Sequence, residues 1–84
     1  MSEPQLASVV PFPLYARLAF VRQQADHYLR RPHAEAERYL QQQLDLQATV
    51  LRRKQVAEAD VIRERSHLER AIRAAVLDLS EVFA

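Results

Sequence analysis

An all-α fold is predicted by three observations: the 84-residue chain has no glycine, it is rich in helix formers, and its apolar residues recur at helical spacing. Thirteen alanines, eleven leucines and eight glutamines favour helix, while tight hairpin turns lack the residue they prefer. The clearest periodicity lies between Val56 and Phe83. Val61, Leu68, Ala75 and Val82 fall at one core position of a heptad, and Arg65, Ile72 and Leu79 at the other. The next positions, Ile62, Glu69, Val76 and Phe83, widen the stripe to that of a bundle helix rather than a two-stranded seam. The expected architecture is three helices, at about 14–29, 33–53 and 57–82, forming a small bundle with a long helical hairpin and an extended N-terminal arm.

Residues 1–8 are polar and read as a flexible N-terminus, leaving 9–84 as a single helical domain. The arm begins at Val9. Pro11 and Pro13 forbid helix and force an extended path through Val9, Val10, Phe12 and Leu14. Such an arm serves either as a strap over the bundle, with Phe12 buried near Phe20, or as a short linear element inserted into a partner. The strap is the favoured expectation, because a core this small needs cover.

Pro13 suits the first position of a helix, and from there Leu14, Leu18, Val21, Ala25, Tyr28 and Leu29 share a face flanked by Arg17 and Arg22. Phe20 lies roughly 120° from the Leu14 line at 100° per residue, so it meets the arm or marks a second surface. Arg30, Arg31, Pro32 and His33 break this helix. Glu35 and Glu37 then sit where carboxylates oppose the positive end of a second helix dipole. Ala36, Tyr39, Leu40, Leu44, Leu46, Val50 and Leu51 form a wide apolar arc suited to two neighbours. Gln43 and Gln47 occupy its middle. They either build a polar layer with Arg65 or bend out to the rim.

No glycine or proline marks the boundary after Arg52, Arg53 and Lys54, and the heptad phase runs on through it, so one helix of some fifty residues is the alternative. A turn is expected instead. A continuous seam would hold both Lys54 and Glu58, and Val56 with Val61 has the spacing of a hydrophobic staple around a start near Ala57.

Three phrases in order, Val9 to Leu14 (VVPFPL), Ala36 to Leu44 (AERYLQQQL) leading to Leu51-Arg52-Arg53, and Leu68 to Ala74 (LERAIRA), resemble a family of short uncharacterised bacterial proteins, a domain of unknown function. In that family a proline-broken apolar arm precedes arginine-rich helices. A glycine often follows the double arginine there, where this chain has Lys54-Gln55. The resemblance implies no activity and brings no site residues.

Function has to be sought by chemistry, and little is present. The chain has no cysteine, no phosphate-cradling loop is available without glycine, and the few hydroxyls sit in no visible nucleophile, base and orienter set. His33 and Glu37 lie four apart, but no histidine has a second histidine at ligand spacing, so no metal and no cofactor is expected. An enzyme is not expected either. The net charge is +1, and by segment it alternates: +3 over residues 14–33, −2 over 34–51, +3 over 52–55 and −2 over 56–84. Arg30 and Arg31 at one turn and Arg52, Arg53 and Lys54 at the next are candidate anion or nucleic-acid contacts, separated by about 30 Å of helix at 1.5 Å per residue. Nucleic acid is therefore disfavoured. With no basic start before an apolar core, and no apolar run of the ~20 residues a span needs, neither export nor a membrane is expected, and the expected compartment is the cytoplasm.

The expected function is a small non-enzymatic protein–protein interaction module, with a small DNA-binding regulator that uses the basic turns as a dimer as the alternative. A compact chain of this length has a radius of gyration of about 12 Å, too small to hide a third helix about 40 Å long. Its C-terminal turns therefore call for a second copy or another protein. Phe12, Phe20, Leu77, Leu79, Val82 and Phe83 are the candidate surface for a homodimer or a protein partner.

Overall fold

A computed structural model describes residues 14–83, with side chains from Arg17 to Glu81. The arm with Phe12, the residues assigned as a flexible N-terminus, and the side chains of Val82 and Phe83 lie outside the described residues. Three helices follow one another, α1 over Leu14–Leu29, α2 over His33–Arg53 and α3 over Glu58–Phe83. Among the described residues there is no strand.

The break between α2 and α3 is a Schellman turn. Val56 donates its N–H to the Leu51 carbonyl at 3.2 Å, and Gln55 donates to Arg52 at 3.0 Å, which satisfies the last carbonyls of α2. Gln55 takes the left-handed conformation this requires, with φ 68°. Val56 then packs onto Ala48, Leu51 and Val61, so the expected staple is present and closes the hairpin. The N–H groups of Asp60 and Val61 both bond to the Ala57 carbonyl, which starts α3 at Glu58. Between α1 and α2 the stop is Pro32, whose carbonyl accepts the N–H of Ala36 at 2.8 Å.

Contacts between side chains show the directions of the helices. Glu37, Gln41 and Asp45 of α2 meet Arg73 and Arg65 of α3 in reverse order, so these two run antiparallel. Arg17 pairs with Glu64, and Tyr28 lies beside Arg73 and Val76, so α1 runs parallel to α3. The core lies between all three. Val21 of α1, Leu40 and Leu44 of α2, and Leu68 and Ile72 of α3 form one buried cluster, joined by the half-buried Phe20, Tyr28, Ala75 and Val76. The bundle is 49 Å long with a radius of gyration of 14.4 Å, well above the compact value, because three helices side by side cannot be shorter than the 26 residues of α3.

Several facial assignments change. The buried side of α1 is turned toward Val21, Gln24 and Ala25, which leaves Leu18 and Leu29 exposed and brings Phe20 onto the core instead of onto a second surface. Leu46, Val50 and Ile62 are exposed too. On α2 the buried residues are Ala36, Leu40, Leu44, Ala48 and Leu51, a single line with steps of four and three, so α2 presents one face and not a wide arc. Arg65 bonds Gln41 and, at the exposed rim, Asp45, in place of the expected layer with Gln43 and Gln47, which are half-buried. Among the described residues the buried polar side chain is Gln24.

Candidate interaction surface

The seam between α2 and α3 is closed by charge. Arg73 grips Glu37 through two nitrogens, each 2.9 Å from a carboxylate oxygen, and also donates to Glu69 at 3.0 Å. Tyr28 donates to the same Glu37 carboxylate. The hydrogen bonds from Arg73 and Tyr28 hold the Glu37 carboxyl down at about 2, and the bonded Glu37 in turn pushes the Tyr28 phenol up. Arg65 extends the seam to Gln41 at 2.7 Å and Asp45 at 3.0 Å. Arg52 closes the turn with a bidentate pair to Glu58, at 3.0 and 2.8 Å.

The seam between α1 and α3 differs. Here three of the facing residues of α3 are alanines, and Val21, Leu68, Ala71 and Ala75 line an open apolar groove of about 680 Å³ bordered by Leu18. Leu18 is 56% exposed at its edge. Arg22 stands on the α1 side, and His67, Ala74 and Asp78 on the α3 side. Side chains this short leave a trough where a larger residue would have met α1.

The sequence-derived candidates are scattered by the fold. Among those with described side chains Leu77 is the most exposed, at 66%, while Leu79 is half-buried and Phe20 packs against the core cluster. Arg30 and Arg31 lie at one end of α2, and Arg52, Arg53 and Lys54 at the other. Three of the five are engaged: Arg30 with Asp26 at 2.9 Å, Arg52 with Glu58, and Arg31 with the His27 carbonyl at 2.6 Å while its guanidinium stacks 3.9 Å from the centre of the Tyr39 ring. Leu18, Ala71 and Ala74 escaped sequence reasoning as a surface. The signal available for them is the alanine cluster Ala71, Ala74 and Ala75 next to outward-facing charges. Among the described residues, no group of three metal-ligating side chains converges, and no helix is long and apolar enough to cross a membrane.

Fold and surface together define a small all-α three-helix protein whose α2–α3 seam is lined by arginine–carboxylate pairs and whose α1–α3 seam, beyond the Arg17–Glu64 pair, carries an open apolar groove. The chain belongs to a family of unknown function (DUF6074), whose model matches residues 4–82. No curated protein and no solved structure matches it.

Proposed function

We propose that this protein is a non-enzymatic helical module that acts by binding another protein chain along the α1–α3 groove. The observation that carries this is the groove itself, with its apolar floor and the exposed Leu18 beside it. Apolar surface gathered in a concave strip is the form that takes the apolar face of a helix. The polar clusters support the same view. Glu37, Tyr28 and Arg73 are engaged with one another, as in a structural fastening, and are not an acid and a base held ready for a substrate.

Binding duplex DNA through the two basic turns finds less support, since those turns sit at opposite ends of α2 and three of their five cations already have partners. A photo-crosslinking residue at Leu18, activated in living cells, tests the proposal. A crosslink to a protein chain, lost when Ala71→Glu fills the groove, is the expected result; crosslinks to nucleic acid, or none at all, would overturn it.

A further inference from the structure

We infer that the occupant of the groove is a second copy of this chain, whose α3 lies antiparallel on α3 about a twofold axis at the level of Ile72. This rests on the interaction role proposed above and names its partner. The outward side of α3 is self-complementary about that level. Arg63 and Glu81 lie nine residues to either side of Ile72, and eighteen residues make five whole helical turns, so the two project from the same side of the helix. His67 and Asp78 stand five and six residues to either side. All four are exposed.

In an antiparallel pair about a twofold axis, positions on the same flank of the two helices meet, each contact occurring twice. Placed at Ile72, the axis brings Arg63 level with Glu81 of the second copy, and His67 to within one residue, about 1.5 Å along the helix, of its Asp78. Between these charged ends the face carries the exposed Ala71 and Ala74, which let two helix axes approach closely. Arg70 on the outer flank has Ala74 as its mirror position, so no like charge opposes it. Among the described residues Asp78 and Glu81 have no ion-pair partner within the chain, and Arg63 has only the exposed pair with Asp60, of a kind that is readily exchanged. A helix laid on Ala71 and Ala74 also covers Leu18 across the groove, which removes from water one of the exposed apolar residues of the single chain.

Charge reversal tests the pairing on the full chain. Arg63 and Glu81 are about 27 Å apart along one helix at 1.5 Å per residue, so they cannot compensate each other within a chain. By sedimentation at micromolar concentration, the unaltered protein is expected at twice its 9.8 kDa chain mass. Arg63→Glu and Glu81→Arg each place like charges together twice and weaken dimerisation by about tenfold or more. Mixing the two variants restores opposite charges at both contacts and yields a one-to-one heterodimer. Both positions are exposed, and circular dichroism checks that each variant keeps its helix. An unaltered chain that is monomeric, a dimer indifferent to both reversals, or two variants that stay apart on mixing would each overturn the second-copy assignment. A monomeric chain that still crosslinks a foreign protein from Leu18 would overturn this assignment alone and leave the interaction role standing.

Discussion

Arg73 of α3 and Glu37 of α2 form a two-point pair, with both nitrogen–oxygen distances at 2.9 Å, and because Tyr28 of α1 donates to the same carboxylate, one acidic residue fastens all three helices. Its position follows from the chain's order. The turn at Pro32 sets the end of α1 beside the start of α2, and the antiparallel hairpin returns Arg73 to the same level.

Acid should loosen this fastening. Glu37 titrates at about 2 in the fold against an ordinary 4.5, so the folded state favours its charged form. The contribution is therefore fully present above pH 4.5 and is lost as pH falls from there toward 2. Because both partners are part-exposed, solvent screening leaves about 1 kcal/mol. Chemical denaturation at pH 7 and pH 3 should show that loss in the native chain and a smaller one in Glu37→Gln.

Gln55→Gly should stabilise the protein. A non-glycine residue at φ 68° carries a steric cost that glycine does not, and the Schellman hydrogen bonds use only backbone. The gain should be about 0.5 to 1 kcal/mol, a rise in Tm of several degrees for a domain of this size. Gln55→Val should move Tm the other way, since a β-branched side chain tolerates that backbone least.

Gln24 offers a second stabilising change. It is 6% exposed, and its Oε1 has no hydrogen-bond partner among the described residues. Replacing the amide by an apolar side chain of similar size removes the desolvation cost of an unpaired acceptor, about 1 kcal/mol or more. Thermal melts of Gln24→Met should show a higher Tm; a drop of several degrees would mean that the amide is satisfied in solution.

Two leucines two residues apart on α2 should behave oppositely. Leu44 is fully buried and Leu46 is 55% exposed. Leu44→Ala should cost about 2 to 5 kcal/mol by opening a cavity, whereas Leu46→Ala should stay within about 0.5 kcal/mol. Urea titration of the two variants distinguishes them at once.

Helix number and ends were legible from proline, capping and periodicity, since these act over a few neighbouring residues. Val56 and Val61 marked the α3 start correctly even without a glycine. The rotation of α1 was not legible. Leu18 and Phe20 compete for the same core, and intrinsic hydrophobicity favours neither; the choice is made by Leu40, Leu44 and Leu68, which arrive from distant parts of the chain. Arg65 shows the same limit. Its place in the heptad was readable, but Gln41 and Asp45 rather than Gln43 and Gln47 meet it because α2 turns one narrow face to its neighbours. The groove was missed for a related reason. Alanine reads as a helix former along the sequence, and its small size forms a trough only once α1 lies beside it.

The parallel course of α1 and α3 has a mechanical consequence. Leu14 leaves the bundle at the level of the α2–α3 turn, and Phe83 at the opposite end of its long axis. Tension applied between these two points slides α1 lengthwise past α3, so the Arg17–Glu64 pair and the Val21–Leu68 packing bear the load together rather than opening one after another. A helix pair joined in the opposite sense would unzip from one end under the same pull; this arrangement makes the module resistant to stretching along its length.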